Sequence, residues 1–179
     1  MDNKKNDNKT MTERWIKDGV FADMTMEIDG RMVSNPTDEM LRKAGYEPYV
    51  PSDEELLAQA KEAKVQEIER YDTSDKVNGF KLNGTMFWLD KATRVGLMNS
   101  TTIAKSMGSE TTDLWLDEVK LTIDCDKVIR LLGGIEMYAL ECFNVTARHK
   151  AEVNDLKTVA EVEAYDVTEG YPKQLEITI

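Results

Sequence analysis

Residues Asp126–Leu156 read DKVIRLLGGIEMYALECFNVTARHKAEVNDL. Val128, Leu131, Ile135, Tyr138, Cys142 and Val145 step by threes and fours, which places them on one face of an α-helix. Leu132, Leu140 and Phe143 widen that apolar stripe. Some 30 residues at 1.5 Å each make a helix of about 45 Å, the longest element of the chain. Gly133-Gly134 falls inside it. Each glycine costs a helix roughly 1 kcal/mol relative to Ala, so a kink or a close backbone approach is expected there. The stripe can serve as a seam within the chain or between copies of it.

Working back from this helix, turn signals alternate with short apolar runs. Leu114–Leu116 and Val119–Ile123 flank Asp117-Glu118, a hairpin pattern. Upstream, Asp90 caps a helix predicted to reach Met107, carrying Val95, Met98, Ile103 and Met107, and Gly108 ends it. Before that, Phe80 and Leu82 lead through Asn83-Gly84 to Met86–Leu89. Asn-Gly between apolar runs predicts a type I′ hairpin. Downstream, Thr158–Glu161 has the spacing of a capping box, opening a short helix to Tyr165, and Leu175–Ile179 reads as a last strand.

The N-terminal part has another texture. Residues 1–12 are polar and read as a flexible arm. Residues 13–51 form a small β-rich module: Asp18-Gly19 and Asp29-Gly30 predict two or three short strands, and a short helix follows Asn35-Pro36-Thr37, ending at Gly45. Residues 46–51, YEPYVP, read as an extended connector and a domain boundary. Residues 52–179 then form a helix-rich α+β domain with two β-hairpins and the long helix. It is opened by a spacer helix capped at Ser52-Asp53-Glu54-Glu55, whose apolar stripe is Val65, Ile68 and Tyr71. The fold class read from the sequence is therefore α+β.

Composition narrows the function. The 179 residues carry 23 Lys and Arg against 34 Asp and Glu, a formal net charge of −11. That leaves no basic footprint for nucleic-acid phosphates. Residues 109–126 and 151–170 each hold six acids and one Lys, so the acidity sits in two patches of the C-terminal domain. No apolar run nears the roughly 20 residues that cross a bilayer, and no membrane insertion is expected. Residues 1–10 contain no secretory h-region. Cys125 and Cys142 make no disulfide framework and read as buried free thiols of a cytosolic product.

Catalytic constellations are not apparent. His149 is the single histidine, so no two-histidine metal site can form, and it reads as a structural or surface residue. Asp90, Asp113, Asp117, Glu118, Asp124 and Asp126 lie near hairpin ends. Capping and turn roles account for Asp90, Asp117 and Asp126 without invoking acid–base chemistry. Neither a P-loop nor a dinucleotide fingerprint occurs. No catalytic, cofactor-binding or metal-binding residue is assigned, and no cofactor is expected. Trp15, Trp88 and Trp115 each fall on a predicted strand. They are core residues or, where exposed, contacts for a protein interface or a sugar ring. An internal echo links Val65–Ser74 (VQEIERYDTS) with Val159–Thr168 (VAEVEAYDVT), either a duplicated unit or one turn solution used twice.

Several blocks of residues carry a resemblance. They are Glu67–Ser74, Leu82-Asn83-Gly84, Trp88–Leu97, Tyr138–Cys142, His149-Lys150-Ala151, Glu163–Asp166 and Gly170-Tyr171-Pro172. Through them, Val65–Ile179 resembles a family of uncharacterised domains in phage and prophage proteins of gut bacteria, often encoded in tail-fibre regions. Residues 35–46 resemble the leader joined to such domains and, more weakly, small tail-fibre assembly proteins. The resemblance implies no catalytic residues. It implies a non-enzymatic virion structural protein: a tail or tail-fibre accessory or adaptor that docks other phage tail or fibre proteins and forms homo-oligomers. Such a protein is made in the bacterial host cytoplasm and located in the virion tail region. A tail-fibre assembly chaperone and a carbohydrate-binding receptor module are the alternatives.

Overall fold

The computed structural model describes residues 14–116 and 118–178. The expected arm, residues 1–12, lies outside them. The fold is α+β, with five helices and several small sheets among the described residues. The chain divides into two compact units at Glu55/Leu56.

In the first unit, β1 (Trp15–Lys17) pairs with β2 (Val20–Phe21) through Asp18-Gly19. β3 (Thr25–Ile28) pairs with β4 (Arg31–Ser34) through Asp29-Gly30. Both residues of each loop have positive φ, the geometry that matches the twist of the flanking strands. α1 (Asp38–Lys43) is capped by Thr37, whose hydroxyl accepts from Met40 N. It ends in a Schellman turn: Gly45 N donates to Arg42 O and Tyr46 N to Leu41 O, with Gly45 at φ +84°. Residues 46–51 are not merely a connector. β5 (Glu47–Pro48) pairs antiparallel with the free edge of β1. Pro48 fits because its missing N–H lies on an edge strand. Among the described residues of this unit Trp15, Ile28 and Leu41 are buried, and the Arg42 guanidinium lies 5.2 Å from the Trp15 ring.

α2 (Asp53–Asp72) opens with a reciprocal cap. Glu55 N donates to Ser52 Oγ, and Ser52 N donates to Glu55 Oε2. In the second unit, the first half of α2 is not a free spacer. Leu57 and Ala60 pack against the cluster of Ile68, Val153, Val162 and Val167. Lys61 donates to Asn154 O, and Lys64 donates to Tyr165 O.

β6 (Phe80–Leu82) and β7 (Thr85–Phe87) form the hairpin across Asn83-Gly84, and β10 (Glu176–Ile177) adds parallel to β6. α3 (Lys91–Ser106) follows, capped by Asp90. Its packing face differs from the stripe read in the sequence. Arg94 and Thr101 are buried and Leu97 and Met98 half-buried, whereas Val95, Ile103 and Met107 face solvent. Two polar residues, Arg94 and Thr101, take the inner face, and Arg94 is held there by Glu136 and the Leu89 carbonyl. β8 (Thr111–Leu116) and β9 (Val119–Asp124) form the second hairpin, with Leu116 opposite Val119.

α4 (Cys125–Asp155) is continuous through Gly133-Gly134. A Cβ added at either glycine meets nothing within 4 Å, so the expected close approach does not exist. Its cap is Asp124, which accepts from Asp126 N and Lys127 N, and not Asp126. Val128, Leu131, Leu132 and Ile135 pack on Phe80, Leu82, Leu114, Leu116 and Ile123. One turn on, Tyr138 and Cys142 meet Val77. Near its end Val153 meets Ile68 and Val162. The seam is thus spent within the chain. Leu140 and Phe143, read as widening it, are instead exposed, at 47% and 67%. α5 (Val159–Ala164) carries the capping box at Thr158 and Glu161.

Candidate docking site

The three tryptophans fare differently. Trp15 is 3% exposed in the first unit and is unavailable for contacts, because its side chain is that unit's core. Trp115, on β8, is 62% exposed. Trp88 is not on a strand. It follows β7 in the segment before α3, half-buried, and lines a cavity of about 430 Å³.

Four stretches of chain build that cavity. The end of α2 and the turn after it supply Asp72 and Asn78, and the approach to α3 supplies Trp88 and Asp90. The first turns of α3 supply Lys91 and Arg94. α4 supplies Glu136, Ala139, Leu140, Cys142 and Phe143. Arg94 is buried. Its Nε donates to Glu136 Oε2 at 2.7 Å, its Nη1 donates to Leu89 O, and its guanidinium lies 5.3 Å from the Trp88 ring centre. This cation is therefore neutralised and positioned by three groups, and it fixes the wall of the cavity. The Asp90 oxygens accept from Thr93 N and Thr93 Oγ1. These bonds, the backbone one first, hold its carboxyl below the usual carboxylate range.

Asp72 is bound from below. Thr146 Oγ1 donates to Asp72 Oδ1 at 2.6 Å and also lies 2.8 Å from Tyr171 Oη. The threonine has one proton, which Asp72 takes, so Tyr171 must donate to Thr146. Burial raises the Tyr171 phenol and the Cys142 thiol above their ordinary values.

One turn along α4, His149 is 2% exposed. Its Nε2 lies 2.8 Å from Glu169 O, an acceptor only, so Nε2 carries hydrogen. Nδ1 lies 2.6 Å from Tyr165 Oη, which also bonds Glu152. The ring stacks on Tyr171 at 5.6 Å. Burial, then the Glu152 bond, raises the Tyr165 phenol. His149 is a structural pin that ties α4 to the turn after α5.

Of the described carboxylates among Asp90, Asp113, Glu118, Asp124 and Asp126, Asp90 alone lines the cavity. Asp113 accepts from Thr122 and pairs with Lys120, Asp124 caps α4, and Asp126 pairs with Lys105. Glu118 is exposed, and Asp117 lies outside the described residues. Among the described residues no cluster of three His, Cys, Asp or Glu side chains could hold a metal ion. Among the described residues no helix is long and apolar enough to cross a membrane. Of the other cavity residues, Asn78 and Glu136 are isolated polar residues with no sequence signal, whereas Asp72 belongs to the Val65–Ser74 echo, which points to a shared turn and not to a cavity.

The two copies of the echo meet in one cluster, where Ile68 and Val162 are both buried. Their aspartates act differently. Asp72 accepts from Thr146, whereas Asp166 accepts from its own neighbour Thr168.

The chain matches the family described as Domain of unknown function (DUF4376) over residues 59–169. It belongs to that family, and its own fold is α+β. No curated protein and no solved structure matches it.

Proposed function

We propose that this protein is a non-enzymatic docking protein of a bacteriophage tail or tail fibre, an accessory or adaptor that joins other tail components. One observation carries the docking part. The outer face of α4 exposes Met137, Leu140 and Phe143, three apolar side chains at intervals of three, and the last two border the cavity beside Trp88. Apolar surface that a fold leaves uncovered next to a formed cavity is what a partner covers. The resemblance of the Val65–Ile179 blocks supplies the phage setting.

Mass spectrometry of purified virions tests this reading. The polypeptide should be present at a fixed ratio to the fibre or tail protein. If it is missing from virions but raises the yield of folded fibre on co-expression, it is an assembly chaperone and the adaptor reading fails. The exposed Trp115 and the cavity-lining Trp88 support a second reading, a carbohydrate-binding module. A glycan array should then return ligands that Trp115→Ala or Trp88→Ala removes.

A further inference from the structure

We infer that the cavity beside Trp88 is a receptor for a cationic side chain, a Lys or Arg projected by a partner protein segment. This deepens the docking reading and rests on it only for the partner being a protein. The charges at the cavity are unequal. Asp72, Asp90 and Glu136 face Lys91 and Arg94. Glu136 is matched by Arg94, and Asp90 by the amide and hydroxyl of Thr93. Asp72 is half-buried, receives one hydroxyl hydrogen bond, and has no ion pair among the described residues. A carboxylate drawn partly out of water without a counter-charge favours an incoming cation. Lys91 lines the same cavity but is exposed and forms no ion pair with Asp72 among the described residues.

The walls match the rest of such a side chain. Ala139 and Leu140 offer apolar surface to an aliphatic stem. Trp88 already holds one guanidinium over its ring, that of Arg94. The Phe143 ring, 67% exposed, has no ring or cation contact among the described residues and is open to a second. The volume, about 430 Å³, lies in the range of sites that enclose a small group.

The test uses the full chain and three small probes: the Nα-acetyl methylamides of arginine, lysine and citrulline. The tryptophan indole N–H resonances are followed by NMR, with Trp88 assigned through Trp88→Phe. The arginine and lysine probes should shift the Trp88 signal and leave those of Trp15 and Trp115 in place. The uncharged citrulline probe should bind at least roughly fivefold more weakly. Asp72→Asn, which can still accept from Thr146, should weaken the arginine probe about tenfold. Phe143→Ala, a change at an exposed residue, should weaken it about threefold. Second-unit amide resonances away from the cavity that match those of the unsubstituted protein report that each variant is folded. Equal binding of citrulline, an unmoved Trp88 signal, or unaltered affinity in Asp72→Asn overturns the inference. Failure here with the polypeptide present in virions removes the cationic anchor alone. Success here with the polypeptide absent from virions removes the adaptor reading alone.

Discussion

At the scale of single residues, His149 and Trp15 carry the largest consequences. His149 bonds through both ring nitrogens and is almost wholly enclosed. His149→Ala leaves a cavity, the Tyr165 hydroxyl short of one partner, and the Glu169 carbonyl without one. Thermal or urea unfolding should show a loss of about 3 kcal/mol. Trp15→Ala should cost about 3–5 kcal/mol, measured by the unfolding of the first unit. Trp115→Ala, at an exposed position, should change stability by no more than about 0.5 kcal/mol. One tryptophan is structural and another is free for contacts, yet the sequence around each reads alike. Both lie on short strands with alternating neighbours. Which side of a strand is covered depends on what packs there, and for Trp15 this is a unit whose other buried residues, Ile28 and Leu41, come from β3 and α1.

At the scale of elements, the helix ends are local chemistry and were legible. Ser52 with Glu55, Asp90 with Thr93, and Thr158 with Glu161 all form as their spacing predicts. The Glu161 carboxylate accepts from Lys157 N and Thr158 N, and the Lys157 amide first, then the Thr158 side chain and amide, hold it below the usual range. A carboxylate so lowered contributes stability that is complete above its unfolded value and disappears as pH falls through its folded value. Melting temperature should therefore drop on acidification below about pH 5. Glu161→Gln should show a lower melting temperature at neutral pH and a shallower acid slope. The glycine pair of α4 was legible in presence and not in purpose. Gly134 is exposed, in a continuous helix, with open space where a Cβ would stand. Gly134→Ala should raise stability by about 0.5–1 kcal/mol, and an unchanged or lowered melting temperature would point to a role for the glycine outside the helix itself.

At the scale of the molecule, the second unit closes through contacts distant in sequence. β10 lies parallel to β6, with Lys81 N donating to Leu175 O and Asn83 N to Ile177 O. Leu175 and Ile177 also cover the cluster around Phe80. Truncation after Pro172 should lower the melting temperature of this unit. It should also expose the amides of Lys81 and Asn83 to hydrogen exchange, while the β8–β9 amides stay protected. Retained protection at Lys81 would show that β10 contributes little. What the sequence alone determined is everything carried by neighbours along the chain. This covers the α+β class, the three tight hairpin loops, the capped helices, and the face of α4 from Val128 to Cys142. Backbone preference and side-chain period set these within a few residues. Tertiary structure alone decided the rest: that Leu140 and Phe143 stay outside, that Arg94 goes inside, that residues 47–48 become a strand, and that Asp72, Trp88 and Glu136 share one cavity. Those outcomes depend on which surfaces meet across long separations, and a period read along one helix cannot tell a face that finds a neighbour from one that finds water.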